Sequence, residues 1–162
     1  MQFPREGNGW SYKHCCRRFD LADEGHLRFG QLGAFDRALM SLEQSFRFLS
    51  NPHAMVTSAN DEDKIIVAER GDLLFVFNFH VSADYEGFVV PCPKPGTWRC
   101  VLDSDAQEFG GQGRVGLGID HFTVPEAPDT WVGPYACPKR ACALRVRSPS
   151  RTMQAYALSL PA

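Results

Sequence analysis

The chain has 162 residues, enough for one ordinary domain or for a small domain joined to a piece of another. Its composition, 44% hydrophobic and 22% charged, is that of a globular protein, and no apolar run approaches the roughly 20 residues that cross a bilayer, so a membrane span is not expected. A net charge of −2 supplies no general attraction to nucleic acid or anionic lipid, and neither is expected as a partner.

In chain order, residues 1–14 hold Pro4, Gly7, Gly9, Trp10 and Tyr12 with no periodicity, which reads as a loop. The start has neither an apolar secretory segment nor the Ser/Arg-rich, acid-poor character of a transit peptide, so it resembles an internal loop. From Asp20 the pattern changes. Phe29, Leu32, Phe35, Leu39, Leu42, Phe46 and Leu49 recur at steps of three and four, the spacing of one helical stripe, and Asp20 and Asp23 suit its N-cap. Gly30 and Gly33 weaken its first turns, where fraying or a break is expected, and Asn51-Pro52 is the expected stop. The helical period ends there, which puts a boundary near residue 50 between a helical part, 1–50, and a β part, 51–162.

The β part is organised around residues 64–80, read as two buried strands joined by a Gly71-Asp72 turn of the primed type that needs a glycine at positive φ. In the second strand Leu73, Phe75, Phe77 and Phe79 share one face while Leu74 and Val76 share the other, as expected of a strand covered on both sides. Further short strands are expected at 54–57, 85–90, 97–102, 122–124, 143–146 and 153–158, with 85–90 an edge strand ended by Pro91, Pro93 and Pro95. The fold class is therefore mainly β, an antiparallel sandwich preceded by a helical segment.

Several motifs carry a possible chemistry. Gly111-Gln112-Gly113-Arg114-Val115-Gly116 satisfies G-x-G-x-x-G but does not lead into a helical pattern, so no dinucleotide site and no cofactor is expected. Cys15-Cys16 beside His14, and Cys137 with Cys142, lack the second knuckle of a structural zinc site; no metal is expected, and the six cysteines read as reduced thiols. Asp103-Ser104-Asp105 reads as an Asx turn closing a strand in preference to an acid/base pair. Arg145 and Arg147 alternate with Leu144 and Val146 and read as a solvated strand face. Trp10 and Tyr12 in their glycine-rich loop leave two readings open: contact with a flat or sugar ligand, or anchoring of the loop.

Blocks in a fixed order carry a family resemblance. Phe3-Pro4-Arg5-Glu6-Gly7-Asn8-Gly9-Trp10-Ser11-Tyr12, Phe19-Asp20-Leu21-Ala22-Asp23, Glu69-Arg70-Gly71-Asp72-Leu73, Phe75-Val76-Phe77-Asn78-Phe79-His80, Val101-Leu102-Asp103-Ser104-Asp105 and Pro149-Ser150-Arg151-Thr152 resemble the C-terminal third of the eukaryotic 1,4-α-glucan branching enzymes of the α-amylase superfamily. The resemblance fades over residues 115–147, and Cys15-Cys16-Arg17-Arg18 departs from the family's pattern. It implies that residues 1–50 are the loop and helices after the last strand of a (β/α)8 barrel and that the rest is the C-terminal β-sandwich. The loop would then face the glucan cleft, making Arg5, Asn8, Trp10 and Tyr12 candidate substrate contacts. The family's chemistry is retaining transfer of an α-1,4-glucan segment to a 6-hydroxyl through a covalent glucosyl intermediate. Its three carboxylates lie on earlier barrel strands, so no catalytic residue is expected here and the isolated chain is expected to be silent. The implied partner is α-glucan, starch or glycogen, and the implied location is intracellular, the plastid stroma or the cytosol. The rival readings are a stand-alone carbohydrate-binding or scaffold sandwich, and a piece that docks on a separate barrel polypeptide.

Overall fold

The computed structural model describes residues 3–13, 15, 18–125 and 140–159. His14, Cys16 and Cys137, named above as possible ligands, lie outside the described residues.

The apolar stripe forms α1, Phe29–Phe46. It starts later than Asp20, because Asp20–Ala22 makes a separate 3-10 turn. Neither glycine breaks the helix: Gly30 lies in its first turn where the Ala22 carbonyl comes within 3.3 Å of the position a Cβ would take, so the close approach of the preceding turn favours the missing side chain. The stop also differs from the expected Asn51-Pro52. Arg47 turns into the left-handed region at φ 48° and donates its backbone N–H to the Glu43 carbonyl at 2.7 Å, while the Glu43 carboxylate accepts from Leu49 N–H at 2.9 Å. A local capping arrangement thus ends the helix before the proline is reached.

Eight strands follow: β1 Ala54–Asn60, β2 Ile65–Arg70, β3 Leu73–Asn78, β4 Tyr85–Cys92, β5 Thr97–Asp103, β6 Asp120–Phe122, β7 Cys142–Ser148 and β8 Thr152–Leu158. β4 continues through Pro91, which the sequence marked as a terminator; Pro91 sits opposite Ala143 in a two-stranded sheet, where an edge tolerates a residue without an N–H. The other six strands form an antiparallel sheet in the order β1-β2-β3-β8-β5-β6, so the last strand in sequence lies near its middle. Gly71 makes the β2–β3 turn at φ 59°, and Arg70 pairs directly with Leu73 across it.

β3 is covered on both faces, as its composition predicts. Leu74 and Val76 join Ile65, Val67, Trp98, Tyr156, Val90 and Leu144 between the two sheets. Leu73 and Phe75 face the other way and pack with Leu102 and Ala155 against Leu42 and Phe48 from the helical segment. The stripe of α1 therefore folds back onto the sandwich over its second half. Its outer residues Phe29, Leu32 and Met40 remain exposed. Phe77, expected in the core, is only half-buried; its ring stacks between Phe75 and exposed Phe79 at centroid distances of 6.1 and 6.0 Å.

Candidate functional site

The opening loop is knitted by its own backbone. Glu6–Asn8 is one 3-10 turn, and Trp10 N–H donates to the Arg5 carbonyl at 3.0 Å. The Asn8 side chain closes the turn from both ends, accepting from Arg5 N–H at 2.9 Å and donating to the Phe3 carbonyl at 3.0 Å. Asn8 thus shapes the loop through polar atoms that the fold already uses. Gly9 and Trp10 both take positive φ, 60° and 56°. For glycine this is free of strain, whereas a large L-residue there costs on the order of 1 kcal/mol. Trp10 is 67% exposed and Tyr12 76%, and Arg5 is exposed beside them. Of the four predicted contacts, three stand on the loop surface and the fourth, Asn8, ties it together.

The glycine-rich motif and the Asp103-Ser104-Asp105 turn, treated separately in the sequence, meet in one clasp. Asp103 accepts the Asp105 N–H at 3.0 Å, the Asx turn expected at the end of β5. Asp105 then accepts backbone N–H groups from Gln112 at 3.2 Å and Arg114 at 3.0 Å, and it receives the Arg114 guanidinium through Nε at 3.0 Å and Nη2 at 3.1 Å. The same guanidinium donates to Asp84 at 3.2 Å and to the Ser150 carbonyl at 3.2 Å, while Ser150 N–H donates to Asp84 at 2.8 Å. Burial pushes the Asp105 carboxyl up, but the Arg114 guanidinium and the two backbone donors more than offset it and hold it below the ordinary carboxylate range. A side chain at Gly111 would run into the Asp105 backbone, so the glycine there allows close packing against the Asx turn.

Asp103 behaves oppositely. Its carboxyl is fully buried, Oδ2 has no partner among the described residues, and burial raises it to about 6 despite the Asp105 N–H. One aspartate is consumed by an ion pair and the other is sealed in the interior, so neither can approach a sugar as nucleophile or proton donor.

A second network, not anticipated from the sequence, surrounds Glu69 on β2. Its side chain is 1% exposed, accepts from Arg140 through Nε at 3.0 Å and Nη2 at 2.7 Å, and lies 2.8 Å from His53 Nε2. Alternation in β2 places Glu69 on the buried face after Ile65 and Val67. The only sequence signal for it is a charge at a core-facing position, which demands a counter-charge. Arg145 and Arg147 lie on the outward face of β7 as expected, with Arg147 Nε 2.9 Å from Glu86. No group of three or more His, Cys, Asp or Glu side chains able to hold a metal occurs among the described residues, and no helix among them is long and apolar enough to cross a membrane.

Similarity to known proteins follows the same outline. The chain is 50% identical over 149 residues to a 1,4-alpha-glucan-branching enzyme of Solanum tuberosum, covering 90% of this chain and 17% of that enzyme. It is 49% identical over 160 residues to the chloroplastic/amyloplastic enzyme of Oryza sativa subsp. japonica and 48% identical over 161 residues to enzyme 1 of Pisum sativum, in each case covering 96% of this chain and 19% of the relative. The chain thus spans less than a fifth of the length of these curated relatives. The family profile described as "Alpha amylase, C-terminal all-beta domain" matches residues 56–159, which run from β1 through β8. The chain accordingly belongs to the family of α-amylase C-terminal all-β domains.

Proposed function

We propose that the chain is the C-terminal part of a 1,4-α-glucan branching enzyme, with residues 51–162 as its all-β domain and residues 1–50 as the last loop and helices of its catalytic barrel. The reading rests on identity of 48–50% with three plant branching enzymes across 90–96% of this chain. The exposed outer residues of α1, Phe29, Leu32 and Met40, support this place in the barrel, since such a face ordinarily packs on apolar partners, here the rest of the barrel. Alone, the chain is catalytically silent, because the three carboxylates of the family's chemistry lie on earlier barrel strands. The polymer acted on by the whole enzyme is starch-type α-glucan, and the plastid is its compartment, in line with the chloroplastic/amyloplastic names of the rice and pea relatives.

Within that enzyme Trp10, Tyr12 and Arg5 contact glucan, with Asn8 holding the loop in shape. A chimera of the potato enzyme carrying this chain in place of its matching region is expected to branch amylose, read as a fall in iodine absorbance. The chain alone leaves that absorbance unchanged. An inactive but folded chimera, or branching by the chain alone, would overturn the reading. The exposed rings of Trp10 and Tyr12 also favour a second reading, an independent carbohydrate-binding module. Co-sedimentation of the isolated chain with granular starch, abolished by Trp10→Ala, would support it.

A further inference from the structure

Cys92 is the last residue of β4 and Cys142 the first of β7, and the two stand directly opposite one another in the antiparallel ladder. Opposed residues of such a ladder have Cα atoms roughly 4.5–5.5 Å apart, inside the range a disulfide spans. Both side chains enter the same core between the sheets. The Cys142 thiol already reaches over its partner residue, donating to the Cys92 carbonyl at 3.6 Å, and both thiols are free. Cys100 shares that core but sits on β5 in the opposing sheet, where its thiol contacts the Leu102 carbonyl of its own strand.

We infer that Cys92 and Cys142 are a redox-active dithiol, which a small-molecule disulfide such as glutathione disulfide converts into a cross-strand disulfide pinning the open end of the β4–β7 sheet. The position at the ladder terminus matters, because terminal pairs open at low free-energy cost and admit a reagent that the closed core excludes. Cys142 attacks first. Burial pushes both thiols up and the positive charge of Arg140 opposes this at both, but at Cys92 the neighbouring Cys142 and the negative charge of Glu69 push further upward, so Cys142 is the readier of the two to ionise. The Cys142 thiolate displaces one glutathione thiolate and leaves a mixed disulfide at its own sulfur. The Cys92 thiolate then attacks that sulfur, forming the Cys92–Cys142 bond and releasing the second glutathione thiolate. The two thiol protons pass to the two leaving thiolates, and two electrons pass from the protein to the reagent. The closed loop contains β5, the Asp105–Arg114 clasp and β6, so the link constrains the unfolded chain over that whole stretch.

The test uses the full chain, reduced and then titrated with glutathione disulfide, with remaining thiols alkylated before tryptic digestion. Cleavage at Arg99 and Arg140 separates the two cysteines. The expected product is an intramolecular species, giving no dimer band on a non-reducing gel, whose Cys92 and Cys142 peptides are joined, two hydrogens lighter than the pair of thiols and released by dithiothreitol. Its melting temperature rises by several degrees, and Cys142→Ser and Cys92→Ser abolish both the joined peptide and the rise. If the variants do not fold, peptide mapping of the unmodified chain decides alone. Linkage of either cysteine to a different one, glutathione retained on Cys142, or both thiols still reduced once the half-buried Cys15 has reacted would each overturn the inference.

Discussion

Asp103 and Asp105 are two residues apart and carry the same functional group, yet their surroundings drive them in opposite directions. Asp105 is ionised against Arg114, whereas Asp103 is buried with one oxygen unpartnered and its carboxyl raised to about 6. The folded state therefore keeps a proton on Asp103 that the unfolded chain releases near its ordinary value of 3.8. The stabilisation from the neutral form is fully present below pH 3.8 and is lost as pH rises through about 6. Asp103→Asn, which mimics the neutral acid, is expected to match the parent chain at pH 4 and exceed it at pH 7.5 by on the order of 2–3 kcal/mol. Paired denaturant titrations at the two pH values measure this; a constant difference would show that Asp103 does not titrate with folding. At Arg114 the expected effect is larger and less dependent on pH near neutrality. Arg114→Met leaves the Asp105 carboxylate buried without its counter-ion, and a loss of about 3–5 kcal/mol is expected from urea unfolding.

At the scale of elements, β3 separates two cores with one alternating pattern. The alternation in residues 73–79 identifies the faces correctly but does not reveal how far each face is covered. Helix α1 and Phe48 reach Phe75, while Phe77 and Phe79 run progressively out from under them. Phe75→Ala is accordingly expected to cost about 3–5 kcal/mol, and Phe77→Ala roughly half as much, because less area returns to water and no closed cavity forms. Equal costs in chemical denaturation would mean that Phe77 is covered as fully as Phe75. The same limit applies to α1: the stripe is legible from its spacing, but its ends were set by the Arg47 cap and the packing of Asp20–Ala22, which periodicity does not encode.

For the whole molecule, the exposed apolar residues form the main unresolved contrast with a self-sufficient domain. Phe29, Leu32 and Met40 on α1, with Phe79 just past β3 and Phe122 on β6, face solvent in the isolated chain. Such a surface drives association. Sedimentation velocity is expected to show self-association that grows with protein concentration and is reduced by Leu32→Glu with Met40→Glu, with the melting temperature within a few degrees of the parent. If the double variant associates as strongly, the sticky surface lies elsewhere.

By itself the sequence determined where strands occur, though not their ends, with the primed turn at Gly71, the Asx turn at Asp103 and the family, because each is written in local alternation, in a residue's own conformational preference or in contiguous blocks. Only the tertiary structure decided that β8 lies between β3 and β5, that the glycine-rich motif and the Asp103-Ser104-Asp105 turn form one clasp, and that Glu69 meets Arg140. Those outcomes depend on pairings between residues far apart in the chain, chosen by which faces must be buried together and which buried charges must find partners, and no local pattern carries that choice.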